Sequence, residues 1–253
     1  MPEWWLILLI GTVVFCTFTV EGITGFGSTV MALPFVILLI GLKQAVPLLS
    51  SLNLLLALFL ICRSRRNIVW REYLFIVLNV GAGVPVGLFM MDRLPQKILI
   101  GLLTFFTLAV GAGGIRKTLK DRPVAADRGH KKNLLSCLIL FCGGIFQGAF
   151  SSGGPLVVTY AAKEIPEKNT FRATLPLLWF TTNFIMNLKW IWAGNVWSRP
   201  LFLHFLWALP FIGAGMLLGD HLHRKVDQKK FTLLVYGLLI VVAVILGISV
   251  FRR

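Results

Sequence analysis

Long apolar runs that contain no charged side chain constrain this chain more than any other feature. They cover residues 73–91, 98–115, 200–219 and 231–251. Each run is about as long as the roughly 20 residues that an α-helix needs to cross the hydrocarbon core of a bilayer. None of the four shows the period-2 alternation of a membrane-spanning strand. The chain is therefore predicted to be an all-α polytopic membrane protein whose solvent is mainly the lipid bilayer.

The composition agrees with this prediction. Hydrophobic residues make up 57% of the 253 residues and charged residues 14%, and the mean hydropathy is +0.83. A soluble domain does not have this balance. The net charge of +15 could suggest nucleic acid, but the basic residues lie in short loops between apolar segments, where they orient membrane proteins. We therefore expect no nucleic-acid partner. Tryptophans at the edges of the apolar runs are expected at the membrane interface, and these are Trp4, Trp5, Trp70, Trp190, Trp192 and Trp197.

The apolar segments form two sets of five that are separated by a basic linker. The first set lies at 4–20, 24–41, 45–62, 73–91 and 98–115, and the second at 133–149, 153–162, 173–193, 200–219 and 231–251. We accordingly predict a first membrane repeat at 1–115, a basic cytoplasmic linker at 116–132 and a second membrane repeat at 133–253.

Short motifs recur in the same order in both sets. The matched pairs are Glu21-Gly22 with Gln147-Gly148, Gly25-Phe26-Gly27-Ser28 with Ser151-Ser152-Gly153-Gly154, Pro47-Leu48-Leu49 with Pro176-Leu177-Leu178, and Gly81-Ala82-Gly83 with Gly213-Ala214-Gly215. Asn53 and Asn183 also recur. An internal duplication explains this order better than chance does.

Loop charges predict how the two repeats are oriented. If every segment crosses the membrane, Lys and Arg collect in the loops 63–72, 116–132, 163–172 and 220–230, which is typical of cytoplasmic loops. This favours inverted repeats with five crossings each. If the first two segments of each half form one broken span, the second-half loops change sides and the charge bias weakens. Because 153–162 is too short to span, we expect eight to ten helices, broken or short at the glycine-rich motifs.

Glu21 is the one acidic residue that stands between two charge-free apolar runs. A carboxylate within a bilayer costs on the order of 3 kcal/mol or more, so such a residue is a functional candidate. It could instead be an interfacial residue in a turn between two full spans. On the functional interpretation, the glycine and hydroxyl residues that follow it break the helix, and the freed backbone lines a cavity.

The two glycine-rich segments, 21–29 and 147–155, form the candidate site. Ser152 could cap a new helix, with Pro155 in its first turn. Free N–H groups at Ser28, Thr29, Gly153 and Gly154 would then face inward and hold an anion at positive helix ends. The candidate substrate-binding residues are Thr24, Gly25, Gly27, Ser28, Thr29, Asn53, Gln147, Ser151, Ser152, Gly153, Gly154 and Asn183.

Structural roles compete with this interpretation. Small residues also allow close helix packing, which is the expected role of 81–87 and 213–219. The asparagines could form interhelical hydrogen bonds without contacting a substrate. The sequence contains no nucleotide-binding motif, nucleophile–base pair or metal-ligand spacing, so we expect no enzyme activity, no cofactor and no metal.

These motifs resemble a known family. Thr24-Gly25-Phe26-Gly27-Ser28 leading to Pro34, with Ser152-Gly153-Gly154-Pro155, resembles the paired glycine-rich signatures of the TauE/SafE sulfite exporter family, also called the TSUP permeases. Many members have a triple glycine where this chain reads Gly25-Phe26-Gly27-Ser28. The resemblance implies a permease for small sulfur-containing or organic anions, such as sulfite, sulfoacetate or related sulfonates.

Together these observations predict a secondary transporter that binds an anion between the two breaks and works by alternating access. Glu21 would be neutral while the anion is bound, which couples transport to a proton. A cation-coupled transporter with Glu21 as ligand, and a membrane scaffold or assembly factor that transports nothing, are the alternatives. The expected location is a bacterial inner membrane, and a homo-oligomer is left open.

Overall fold

Helices are the regular elements of the computed structural model throughout its described part. The structure describes residues 4–24, 26–119, 133–165, 167–194 and 197–222, and short stretches at 236–237, 240–241, 243–245 and 247–248. Gly25, linker residues 120–132, most of the predicted segment 231–251 and the side chain of Thr24 lie outside the described residues. The helices are α1 (Trp4–Thr24), α2 (Ser28–Ile40), α3 (Leu42–Ser64), α4 (Trp70–Arg93), α5 (Gln96–Leu119), α6 (Leu134–Phe150), α7 (Gly154–Glu164), α8 (Lys168–Ala193) and α9 (Arg199–Leu222).

Five of the described helices are long and apolar enough to cross a membrane, namely α1, α3, α4, α5 and α9. Large apolar side chains cover their outer faces: Leu78 is 70% exposed, Phe89 63% and Phe105 74%. Helices that are apolar on the outside as well as the inside are typical of membrane spans. The predicted all-α polytopic class is confirmed.

The glycine-rich motifs interrupt the helices as predicted. Helix α2 has 13 residues and α7 has 11, so at 1.5 Å per residue they extend about 20 and 16 Å. Both are shorter than a hydrocarbon core of about 30 Å. Left-handed backbone marks each break, with Gly27 at φ 104° before α2 and Ser151 at φ 53° after α6. The first residues of these helices, Ser28 and Gly154, are buried, so both short helices begin inside the bundle.

The main helix pairings join the two predicted repeats. Helix α1 packs against α9, α4 packs against α6, and α3 packs against α8 at the centre. Buried leucines of α3, among them Leu48, Leu52 and Leu56, form much of the core. The two predicted repeats therefore interlock and do not form separate bodies.

Glycines make the two outer pairings close. A Cβ atom on Gly83 would lie 2.2 Å from the carbonyl oxygen of Phe141, and one on Gly219 would lie 2.6 Å from that of Thr19. Backbones that approach this closely leave no room for a side chain. The expected packing role of 81–87 and 213–219 is supported at both interfaces.

Charged side chains join several helix ends at one end of the bundle. Asp220 at the end of α9 lies 2.9 Å from Arg63 Nε at the end of α3 and 2.9 Å from Arg172 Nη2 at the start of α8. Arg172 Nη2 also donates to the carbonyl oxygen of Gly22, at 2.8 Å. At the opposite end, Lys189 pairs with Asp92. Residues from three of the loops that we predict to be cytoplasmic therefore meet at one end.

The tryptophans divide into two groups. Trp4, Trp70 and Trp192 are 62%, 60% and 87% exposed near helix ends, as expected for interfacial residues. Trp190 is only 2% exposed. Its expected interfacial position is wrong, because it lies on the face of α8 that packs into the core.

Candidate functional site

Glu21 lies in the last turn of α1, and its carboxylate caps the start of α2. Ser28 donates to Glu21 Oε2 through its backbone N–H, at 2.9 Å, and through its hydroxyl. The side chain is only 2% exposed. Two expectations from the sequence are corrected. Glu21 is not an interfacial residue in a turn, and the N–H of Ser28 is not free. A negative charge at a helix N-terminus is stabilised by the helix dipole.

Gln147 occupies the corresponding place at the second break. Its Oε1 accepts from the N–H of Gly153 at 3.0 Å, and its Nε2 donates to Asn183 Oδ1 at 3.1 Å. The Gly153 N–H is thus bonded as well. The N-cap residue of α7 is Gly153, so Ser152 does not have the predicted capping role, whereas Pro155 lies in the first turn as predicted. The two breaks have the same geometry, but one is capped by a carboxylate and the other by a neutral amide.

Two asparagines connect the breaks through the centre of the bundle. Asn53 Nδ2 donates to both carboxylate oxygens of Glu21, each at 3.0 Å. Asn183 Nδ2 donates to Asn53 Oδ1, also at 3.0 Å. A continuous chain of side-chain hydrogen bonds therefore runs from Glu21 through Asn53 and Asn183 to Gln147. Buried networks of this kind hold their members in one arrangement when every member is bonded.

Serines and a third asparagine surround this chain. Ser50 and Ser151 donate to Asn183 Oδ1 at 2.9 and 2.7 Å, and Asn187 Nδ2 donates to Ser50 at 3.0 Å. Sequence reasoning did not include Ser50 in the site. Its spacing could have indicated it, because residues three positions apart share a helix face, and Ser50 is three positions before Asn53.

These residues surround a pocket with an empty volume of about 260 Å³, part of which is open to solvent. Its lining consists of Glu21, Gly27, Thr29, Val30, Asn53, Gln147, Ser151, Ser152, Gly154, Trp179 and Asn183. Val30 and Trp179 were not predicted from the sequence, because neither belongs to the repeated motifs of the two halves. Ser28 and Gly153 adjoin the pocket through their bonds to Glu21 and Gln147, and Gly25 and the Thr24 side chain lie outside the described residues. The structure thus gathers the predicted residues in one place, and their binding of a substrate stays a prediction.

The electrostatics of the pocket combine two helix N-termini with a single ionisable side chain. Helices α2 and α7 both begin at the pocket wall, and each N-terminus carries a partial positive charge of roughly half a unit. Among the described lining residues Glu21 alone is ionisable. Positive potential here comes from backbone dipoles and hydrogen-bond donors and not from a basic side chain.

Gly153 is required by a close approach of two backbones. A Cβ atom there would lie 2.2 Å from the carbonyl oxygen of Gly143 in α6. At Gly154 the nearest atom, Trp179 Cζ2, would be 3.9 Å away. The first of these two glycines is therefore needed to fold α7 back against α6, while the second leaves space in the pocket.

Comparison with known proteins identifies the family. Residues 9–246 match the family described as Sulfite exporter TauE/SafE. The chain belongs to this family. The TauE/SafE family is one of transporters and not of enzymes, and the glycine-rich segments on which the resemblance rested are those that form the pocket.

Two known membrane transporters are similar to this chain. The probable inner membrane transporter protein TsaS of Comamonas testosteroni is 26% identical over 163 residues, which are 64% of this chain and 65% of that protein. The probable sulfite/organosulfonate exporter TauE of Cupriavidus necator is 21% identical over 175 residues, 69% of this chain and 67% of that protein. The chain thus spans just under two thirds of TsaS. No solved structure matches the chain.

The TsaS match and the apolar spans also bear on location. TsaS is named as an inner-membrane transporter, and five described helices can cross a bilayer. The predicted location as a multi-pass protein of a bacterial inner membrane is confirmed.

Proposed function

We propose that this TauE/SafE member is a secondary transporter that moves a small sulfur-containing or organic anion by alternating access. One observation carries the proposal: two short helices begin at one pocket whose described lining contains no Lys, Arg or His. Helix N-termini bind anions through backbone N–H groups and dipoles. Discontinuous helices that meet at mid-membrane are the usual substrate site of secondary transporters.

The lining of the pocket and the names of the relatives narrow the substrate class. The described lining carries hydroxyl, amide and indole donors and no basic side chain. Donors of this kind can hold the oxygen atoms of a small anion. Because one relative is named as a sulfite/organosulfonate exporter, sulfite, sulfoacetate or a related sulfonate is the substrate that we favour.

Glu21 supplies a route for proton coupling. Its carboxylate borders the pocket and is only 2% exposed, so an ionised Glu21 and a bound anion would repel each other in a medium that screens charge weakly. Binding the anion together with a proton on Glu21 removes this repulsion. Transport of the anion is then coupled to transport of a proton in the same direction.

The helix pairings suggest which bodies move. Helix α1 packs against α2 and α9, and α6 packs against α4 and α7, while α3 packs against α8. We expect α1, α2 and α9 to move as one group and α4, α6 and α7 as another, because close glycine contacts join α1 to α9, α4 to α6 and α6 to the start of α7. Alternating access would then open the pocket to one end of the bundle at a time.

Flux into proteoliposomes tests the proposal. Purified protein should accelerate uptake of radiolabelled sulfite or methanesulfonate over empty liposomes, and a variant of the exposed residue Glu167, Glu167→Gln, should behave as the wild type. Anion uptake that is driven by an alkali-cation gradient and not by a proton gradient would favour the cation-coupled alternative. Absence of flux for every anion and cation, together with no thermal shift on addition of these anions, would favour a scaffold and overturn the proposal.

A further inference from the structure

Two buried hydrogen-bond donors of the pocket have no partner among the described residues. They are Ser152 Oγ and Trp179 Nε1, on side chains that are 1% and 5% exposed. Both residues line the pocket. A buried donor without a partner is costly, and such groups in native structures call for an explanation. A ligand that accepts hydrogen bonds in the pocket provides one.

Both donors belong to the second repeat. Ser152 lies just before α7, and Trp179 lies in α8. In the first repeat, Ser28 and Asn53 already donate to the carboxylate of Glu21. These two donors of the first repeat are therefore occupied, whereas Ser152 Oγ and Trp179 Nε1 are left for a ligand.

The chemistry of these donors selects the type of ligand atom. An indole N–H can donate but cannot accept, so the atom that meets Trp179 Nε1 must be an acceptor. A metal ion or an ammonium group cannot occupy that place. The oxygen atoms of a sulfonate or of hydrogen sulfite are suitable acceptors, and a hydroxyl such as Ser152 Oγ can donate to a second oxygen of the same group.

The charge of the lining limits the charge of the ligand. Two helix N-termini together offer about one unit of positive charge, and none of the described lining residues is basic. Glu21 can only add negative charge. A second negative charge on the ligand would be buried without compensation, which is strongly unfavourable.

We propose that Ser152 and Trp179 bind the oxygen atoms of a singly charged sulfonate or hydrogen sulfite, and that doubly charged anions bind more weakly. This inference rests on the proposed transport function and narrows it to monoanions. Ser152 and Trp179 are then substrate-binding residues, and the two repeats have different functions. The second repeat holds the anion, and the first carries the ionisable group.

Calorimetric titration of the full-length protein in lipid nanodiscs tests this inference. Methanesulfonate, which carries one charge, should bind at least about tenfold more tightly than sulfate or sulfoacetate, which carry two. Ser152→Ala and Trp179→Phe each remove one hydrogen bond to a charged group and should weaken methanesulfonate binding about 10- to 100-fold. The matched control is Trp197→Phe, because Trp197 Nε1 is also buried without a described partner but lies outside the pocket lining. Its affinity should equal that of the wild type.

The outcomes separate this inference from the transport function. If wild-type protein transports methanesulfonate while Ser152→Ala and Trp179→Phe bind it unchanged, the assignment of these residues is wrong and the transporter remains. If sulfate or sulfoacetate binds as tightly as methanesulfonate, the monoanion preference is wrong, and that comparison needs no variant. Wild-type protein that neither binds nor transports any of the three anions contradicts both proposals.

Discussion

At the residue scale, Glu21 and Gln147 perform the same structural task with different side chains. Each lies in the last turn of a helix, accepts a backbone N–H at the start of the next helix and bonds to a central asparagine. They differ in that only Glu21 can bind and release a proton. An amide at both positions would be sufficient for capping. A proton-coupled cycle also needs a side chain that binds and releases a proton, and the carboxylate of Glu21 can do this.

Glu21→Gln should therefore separate capping from coupling. Wild-type proteoliposomes should accumulate a monoanion on the alkaline side, by about tenfold per pH unit, because one proton moving with the anion contributes about 1.4 kcal/mol per unit. The variant should fold and bind methanesulfonate but lose this dependence on the pH gradient. Uptake measured at a series of pH gradients checks the prediction.

Glu167→Gln is the control for loss of a carboxylate, because Glu167 is exposed at the start of α8. It should keep the wild-type response. If a folded Glu21→Gln protein retains accumulation driven by the pH gradient, Glu21 is not the coupling residue.

At the element scale, close contacts between backbones hold α4 to α6 and α1 to α9. Glycines at these interfaces lie against carbonyl oxygens of the facing helix. Lipid chains are as apolar as the helices, so association depends on such close packing and not on a hydrophobic driving force. Position on the helix thus decides whether a glycine can be replaced.

Gly83→Ala and Gly81→Ala form a matched pair on α4. The added methyl group of Gly83→Ala would lie 2.2 Å from the carbonyl oxygen of Phe141, whereas Gly81 has nothing within 4 Å of its Cβ position. Gly83→Ala should lower stability by about 1–3 kcal/mol, as overpacking does. Gly81→Ala should be neutral or stabilising by up to about 1 kcal/mol, because alanine favours the helix. Thermal unfolding in detergent measures both, and equal melting temperatures would contradict the pairing of α4 with α6.

At the scale of the whole molecule, helices of one predicted repeat pair with helices of the other. The pairing of α1 with α9 corresponds to that of α6 with α4, and the contact of α1 with α2 corresponds to that of α6 with α7. This correspondence supports the proposal of an internal duplication. In the alternating-access cycle that we propose, each moving group would contain helices from both repeats.

Arg172 should be important for this assembly. It is 8% exposed and connects the start of α8 to the end of α9 through Asp220 and to the end of α1 through the Gly22 carbonyl. Arg172→Gln should destabilise the protein by about 1.5–3 kcal/mol, as loss of a hydrogen bond to a charged group does. Lys189→Gln breaks a more exposed ion pair and should cost less than about 1 kcal/mol. Similar melting temperatures for the two variants would contradict the structural role of Arg172.

The orientation of the repeats can be tested by cysteine labelling. In a background without native cysteines, Arg66→Cys and Glu167→Cys should react with a membrane-impermeant maleimide from the cytoplasmic side only, and Gln96→Cys from the opposite side. The ion pairs of Asp220 and the 3.1 Å bond from the Val69 N–H to Thr174 place the first two sites at one end of the bundle. Labelling of Arg66→Cys and Glu167→Cys from opposite sides would exclude the inverted arrangement with five crossings.

The sequence by itself determined the membrane class, the positions of the described helices to within a few residues and the two places where helices break. Each of these features follows from one continuous stretch of sequence. A long apolar run predicts a membrane span, and glycines next to polar residues predict a break in the helix. The residues around the breaks could also be named, since Glu21, Gln147, Asn53 and Asn183 are polar groups in apolar segments.

Only the tertiary structure decided how these groups are used. The bond between Asn53 and Asn183 joins helices that are far apart in sequence, and no local pattern specifies which polar side chains will meet across an interface. Ser152 was expected to cap α7, but Gln147 takes that role, and the Ser152 hydroxyl has no partner among the described residues. Trp179 resembles other aromatic residues of an apolar helix, and only the packing of α8 beside the start of α7 brings it to the pocket. Hydrogen-bond partners follow from the relative placement of helices, which hydropathy does not encode.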